Sequence, residues 1–189
     1  MGQPTYEIYN NNIEWVFGYG SLMWDPGFAY IGKQPATLTG FHRSFCIYSH
    51  HYRGTPERPG LVLGLDEGGV CQGIAFRVDR SKWLNVVNYL DERELIGYAY
   101  QGVKVDIKFE RSGTVAQAYT YIADPSHLKY AGNIGFKRSV DTIMNGVGVG
   151  GLNRDYLISV LRQLKSYGYE EPNLYQLMER IELLTEIIV

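Results

Sequence analysis

The chain has 189 residues, with 18 Lys and Arg against 20 Asp and Glu and a net charge of −2 at pH 7. That length fills one hydrophobic core, with or without an appended helical segment, so a single domain over residues 1–189 is expected. The balance of charge excludes the basic field of a nucleic-acid partner, no run is long and apolar enough to cross a membrane, and Cys46 and Cys71 lack the spacing and companions of a zinc site. Both cysteines lie in apolar, strand-like runs and read as buried thiols of a reducing cytosol, a cytoplasmic location.

In chain order, Met1–Asn12 is polar and has no secretory h-region. Gly2 is a poor myristoylation site, because Tyr6 stands where Ser or Thr is wanted. Strands are expected over Trp15–Tyr19, Ser44–Ser49, Leu61–Leu65, Gln72–Val78, Tyr98–Phe109 and Thr114–Ile122. Turn signals separate them at Asp25-Pro26-Gly27, Arg53-Gly54-Thr55-Pro56, Glu67-Gly68-Gly69 and Arg111-Ser112-Gly113, the last joining two alternating segments as a hairpin. One helix lies among the strands, from Arg80 to Glu94. The last third is helical: Val140, Ile143 and Met144 are helix-spaced, and Tyr156, Leu157, Val160, Leu161 and Leu164 follow Asn153 as a cap and precede Gly168 as a stop. After Pro172, residues Leu174, Leu177, Met178, Ile181 and Leu184 form one stripe. The fold class is α+β, a curved or closed sheet flanked by helices.

Two features carry chemistry. Gly18-Tyr19-Gly20-Ser21-Leu22 ends the apolar run Trp15-Val16-Phe17. Glycines there let a ligand approach the backbone and leave N–H groups to face a carboxylate or an oxyanion; the plain alternative is a strand-to-turn transition. The second feature is Glu94. Trp83, Val86, Val87 and Leu90 form an amphipathic stripe, and at ~100° per residue Glu94 falls in its middle, Glu92 opposite it, and Asp91 and Arg93 on its margins. Only Glu94 of the three carboxylates is expected to point inward. A buried carboxylate must be paired, with Arg93 or another base, escape through a frayed last turn ended by Gly97, or serve as an acid/base whose pKa burial raises. The negative end of the helix dipole favours its neutral form further.

Other patterns carry less. His42, His50, His51 and His127 read as surface or structural. Ser21 lacks the G-x-S-x-G setting of a nucleophile and an assigned histidine. Gly146-Val147-Gly148-Val149-Gly150-Gly151 fits G-x-G-x-x-G, but helical pattern precedes and follows it, so a dinucleotide site is not expected; the expectation is a flexible turn that docks the C-terminal helices, with a place on the border of the pocket as the alternative. The 16 tyrosines suit a pocket for a small polar ligand, and suit packing equally.

Val16-Phe17-Gly18-Tyr19-Gly20-Ser21-Leu22, with Trp24, resembles the signature of the ChaC-type γ-glutamylcyclotransferases. Tyr89-Leu90-Asp91-Glu92-Arg93-Glu94 resembles that family's "YLDxRE" segment. Gly40-Phe41 with Arg43, Tyr121-Ile122-Ala123, and Asn153 with Asp155-Tyr156-Leu157 are similar to further family stretches, so the likeness runs from Trp15 to the final helices. The resemblance implies a small mixed β-barrel with helices around it, and a cytosolic enzyme without cofactor or metal. Its substrate would be a small γ-glutamyl compound, glutathione, cleaved to 5-oxoproline and Cys-Gly. It implies a catalytic Glu94, a substrate-binding segment of Val16, Phe17, Gly18, Tyr19, Gly20, Ser21 and Leu22, and Tyr130 lining the pocket. The chain departs from the pattern at Gly150-Gly151, where many members have Ser-Gly, and at Leu95-Ile96-Gly97-Tyr98, where others often have Lys-Gly-Gly-Tyr. γ-Glutamylamines or other γ-glutamyl amino acids are the alternative substrates. A non-catalytic module binding γ-glutamyl compounds is the alternative of another class, against which Glu94 itself argues.

Overall fold

The structure, a computed structural model, describes residues 13–95, 97 and 99–186. Met1–Asn12, Ile96 and the expected strand start at Tyr98 lie outside the described residues. The chain divides into two compact units, residues 1–43 with 65–124 and residues 44–64 with 125–189. Among the described residues no helix is long and apolar enough to cross a membrane.

Five strands form a closed barrel. Its strands are β1 (Trp15–Gly18), β2 (Gly32–Ser49), β3 (Gly60–Arg77), β4 (Tyr100–Phe109) and β5 (Val115–Ala123), in the order β1-β3-β2-β4-β5. β1 pairs antiparallel with β3, Trp15 opposite Arg77, and parallel with β5, Trp15 opposite Ala118, which closes the barrel and makes it mixed. The α+β class and the mixed barrel are as expected. β4 and β5 form the expected hairpin: Gly113 takes φ +71, and the Phe109 N–H donates to Thr114 O at 2.9 Å.

Two strands extend well beyond expectation, while the other described boundaries shift by a residue or so. β2 begins at Gly32 rather than Ser44, because Pro35 and small side chains mask a segment that pairs through Ala36–Leu38 with β4. β3 runs unbroken through Glu67-Gly68-Gly69, where a turn was expected. Gly68 and Gly69 adopt φ +93 and +74, a pair of left-handed residues that bends a strand without ending it.

A 3-10 turn over Arg80–Lys82 leads into α1 (Trp83–Glu94), and Asp79 opens it by accepting the Ser81 N–H at 2.8 Å. The stripe behaves as read. Trp83, Val86, Val87 and Leu90 are buried in one cluster with Val16, Leu22, Val78, Tyr119 and Tyr121. The two cysteines are buried thiols.

The second unit contains α2 (Phe136–Asn145), a two-stranded hairpin of β6 (Val147–Gly148) and β7 (Gly151–Leu152), α3 (Asn153–Ser166) and α4 (Pro172–Glu186). Gly168 ends α3 at φ +73. Gly146–Gly151 stands between two helices, outside any strand–helix phosphate-binding turn. It is pinned rather than flexible: Val149 N–H donates to His51 O at 3.0 Å and Gly150 N–H to Tyr52 O at 2.9 Å. A Cβ on Gly146 would lie 2.6 Å from Arg53 O, so the glycine serves close backbone approach.

Asn153 does not cap α3. Leu152 holds the cap position. The Asn153 side chain, fully buried, accepts the Leu61 N–H at 2.6 Å and donates to Leu61 O at 2.7 Å. A carboxamide carries a donor and an acceptor, so one side chain satisfies both polar groups of a buried strand residue.

Candidate active site

β1 ends at Gly18 because the chain must turn under its own side chains. A Cβ on Gly18 would lie 3.0 Å from Leu22 Cβ and 3.3 Å from the Phe76 ring, and a Cβ on Gly73 of β3 would lie 2.5 Å from Gly18 O. Both glycines are therefore packing requirements of the turn. Past Gly20 a short 3-10 turn covers Ser21–Met23, closed by Met23 N–H to Gly20 O at 2.9 Å. The first N–H groups of a helical turn have no partner within it. Among the described residues those of Gly20, Ser21 and Leu22 donate to no backbone acceptor. Gly20 holds φ −124, so left-handed backbone is not what demands a glycine there.

Two arginines hold this turn. Arg43 of β2 is buried beneath it. Its Nε donates to Tyr19 O at 2.6 Å, and its Nη2 reaches Met23 Sδ at 3.6 Å and Gln72 O. Arg93 of α1 grips it from the other side: Nη2 donates to Ser21 Oγ at 3.1 Å and Nη1 to Asp25 O at 2.9 Å. The same guanidinium places Nε 3.2 Å from Glu94 Oε1. One planar fork thus touches both the glutamate and the glycine turn, a geometry a lysine ammonium does not reproduce.

Glu94 closes α1 with 19% of its side chain exposed. Burial pushes its carboxyl above the usual carboxylate range, and the Arg93 charge pulls it partly back. The pairing with Arg93 and the burial thus coexist. Glu92 is exposed. Asp91 corrects the sequence reading, which turned only Glu94 inward: its Oδ1 accepts from Tyr119 Oη at 2.8 Å and Tyr121 Oη at 2.7 Å. A margin position suffices when long side chains from a neighbouring strand reach it.

A family model described as ChaC-like protein matches residues 14–184. The chain belongs to the ChaC-like family. The glutathione-specific gamma-glutamylcyclotransferase of Escherichia coli K12 is 32% identical over 170 residues, covering 90% of this chain and 73% of that protein. Glutathione-specific gamma-glutamylcyclotransferase 1 of Danio rerio is 32% identical over 182 residues, 93% of this chain and 92% of that one. A crystal structure of a yeast γ-glutamyl cyclotransferase specific to glutathione superposes with a TM-score of 0.79 at 23% identity, covering 90% of this chain and 98% of that one. That likeness shows the fold.

Within the ChaC-like frame the candidate residues divide by burial. Val16, Phe17 and Leu22 are core side chains, and Tyr19 is nearly buried; what they offer a ligand is backbone. Gly20 and Ser21 form the turn itself, beside Glu94 through Arg93. Tyr130 belongs to the second unit, where it bridges Ile47, and its N–H donates to His127 O at 2.9 Å. The histidines make local contacts: His42 with Gly68 O, His50 stacked on Tyr48, His51 against Tyr52, and His127 accepting the Lys129 N–H. Among the described residues no group of three His, Cys, Asp or Glu side chains could hold a metal ion. Sequence reasoning named Arg93 only as a candidate partner of Glu94, and it missed Arg43 and Asp91 as parts of the candidate site. Arg93 was signalled by standing next to an inward glutamate; Arg43 had no comparable local signal.

Proposed function

We propose that this chain is a γ-glutamylcyclotransferase that cleaves glutathione to 5-oxoproline and Cys-Gly, with Glu94 as acid/base and the Tyr19–Leu22 backbone as anion anchor. The observation that carries the reading is the Arg93 guanidinium, which contacts Glu94 and Ser21 at once. It brings a proton carrier of raised pKa beside a turn whose Gly20, Ser21 and Leu22 N–H groups donate to no backbone acceptor among the described residues. The names of the Escherichia coli and zebrafish relatives support glutathione as substrate.

The substrate's α-amine attacks its own γ-carbonyl carbon. That C–N bond closes a five-membered ring, and the bond to the cysteinyl nitrogen breaks. The α-ammonium gives up two protons and keeps one hydrogen as the ring amide. Both protons end on the leaving nitrogen, released as an ammonium. Glu94 carries them singly and returns to its starting state. Ring closure is intramolecular, so the enzyme's first task is to hold the γ-glutamyl chain folded. The turn N–H groups hold the α-carboxylate or the developing oxyanion. The chain's own groups supply every step, without cofactor or metal.

The small polar substrate, the two buried thiols and the net charge of −2 support a cytoplasmic enzyme that needs neither nucleic acid nor membrane. The experiment is direct. The purified chain is incubated with glutathione, with γ-glutamylalanine and with a γ-glutamylamine, and 5-oxoproline is measured. Release from glutathione above the other two is expected. Release from the others alone moves the substrate within the family, and binding without release leaves a non-catalytic module.

A further inference from the structure

Glu94 is the last residue of α1, where helices fray because their final carbonyls lack partners, and Gly97 follows at φ +82. A frayed last turn would carry the carboxyl into water. The residue on which that turn closes is Asp91, whose carbonyl accepts the Leu95 N–H at 2.9 Å. Its side chain is tied as well. Tyr119 and Tyr121 of β5 both donate to Oδ1. Two residues apart on a strand, they point to the same face, each is 1% exposed, and their rings meet edge-on with centroids 5.2 Å apart. β4 is shaped for them: Gly102 stands opposite Tyr121, and a Cβ on Gly102 would lie 2.0 Å from Tyr119 Oη.

We infer that Asp91, Tyr119 and Tyr121 are positioning residues for the reaction, holding the last turn of α1 against β5 so that Glu94 stays beside the glycine turn. The inference rests on the reading of Glu94 as acid/base. Asp91 is tied through both its backbone and its side chain, which packing of the apolar stripe alone does not require. Burial and the neighbouring Tyr119 and Asp91 push the Tyr121 phenol far above its ordinary value, so it remains a donor wherever the enzyme works. Among the described residues, the charged and titratable groups around Glu94 at this corner are Tyr89, Asp91 and Arg93 on α1, Arg43 on β2, Tyr100 on β4, Tyr119 and Tyr121 on β5, and Tyr19 and Asp25 on the segment that the two arginines hold.

The test uses the whole chain with Tyr119→Phe, Tyr121→Phe, the double variant, Asp91→Leu and Asp91→Asn. Each Phe variant removes one hydroxyl and keeps the ring, so the core is retained. Displacing a reacting group by about 1 Å can lower rate about 100-fold, and a loss of that order in kcat is expected for the double variant and Asp91→Leu, with KM nearly unchanged. The acid limb of kcat/KM should move down toward an ordinary carboxylate as Glu94 gains water. Asp91→Asn keeps an acceptor oxygen and should lose less than Asp91→Leu; an equal, near-complete loss of kcat in both would make Asp91 a proton carrier and overturn the positioning role. Lowered Tm with kcat and the acid limb unchanged in the Phe variants would show a merely structural network and overturn it too. Glu94→Gln, measured alongside, separates the failures: if that variant turns over normally, the acid/base reading falls, whereas a dead Glu94→Gln beside an unaffected double variant sinks only the positioning inference.

Discussion

Replacing Glu94 with Gln perturbs one proton and little else. The amide matches the carboxylate in shape, and its carbonyl oxygen can still face Arg93 Nε, which lies 3.2 Å from Glu94 Oε1. Arg93 also keeps its bonds to Ser21 Oγ and Asp25 O, so the turn stays held. Loss of a positioned acid/base lowers rate by about 100-fold or more, and that drop in 5-oxoproline release from glutathione is expected. Stability should move the other way. Burial raises the Glu94 pKa in the folded protein, and only part of that is offset by Arg93. Between the unfolded and folded values the native state binds more protons than the unfolded one. Stability contributed by this group is therefore fully present below the unfolded value and lost as pH rises through the folded one. Glu94→Gln should melt at least as high as the parent at neutral pH, and the advantage should vanish in acid. Glu92→Gln, exposed on the opposite face, is the control and should change neither quantity. A Glu94→Gln enzyme that releases 5-oxoproline near the parent rate would remove Glu94 from the mechanism.

Three further outcomes follow from particular contacts. Arg93→Met removes the charge that lowers the Glu94 pKa, so the acid limb of kcat/KM should shift upward in a pH–rate profile; a limb that stays put would separate the guanidinium from the acid/base. Ser21→Ala removes one side-chain hydrogen bond, that from Arg93 Nη2 at 3.1 Å, a loss of about 1 kcal/mol, whereas Gly20→Val puts a branched side chain at the turn and should raise KM steeply. The opposite ranking in steady-state kinetics, with an acyl-enzyme mass at Ser21, would point to a serine nucleophile. Asn153→Ala leaves the buried N–H and carbonyl of Leu61 without partners, which destabilises by about 2–4 kcal/mol; a denaturation midpoint within error of the parent would contradict that accounting.

Much of this was legible from local pattern, and the failures share a cause. The α1 stripe, the 111–113 hairpin and the stop at Gly168 depend on periodicity and on glycine backbone, which a short window contains. The turn expected at Glu67-Gly68-Gly69 failed because two left-handed glycines bend a strand as readily as they end one. Asn153 looked like a cap because caps and buried bridges draw on the same carboxamide chemistry, and only its distant partner, Leu61, separates the two roles. Asp91 looked marginal because the angle on a helix says where a side chain leaves, and Tyr119 and Tyr121, about thirty positions later, decide what meets it.

The same limit explains why the orientation of Glu94 was legible in full, whereas burial and Arg93 were legible only as alternative fates of its carboxyl and not as influences acting together. Its inward angle is a property of twelve consecutive residues. Its proton affinity is a property of the assembled corner, where burial raises it and Arg93 lowers it. On the proposed mechanism both influences are needed. A carboxyl raised by burial alone would hold its proton too firmly to accept one from the α-ammonium. A carboxyl lowered by a fully effective ion pair would take that proton weakly and be a poor donor to the leaving nitrogen. A group that must do both within one turnover works best with its pKa near the working pH. On that mechanism, one guanidinium that touches both the carboxylate and the glycine turn ties the compromise to the geometry of the turn itself.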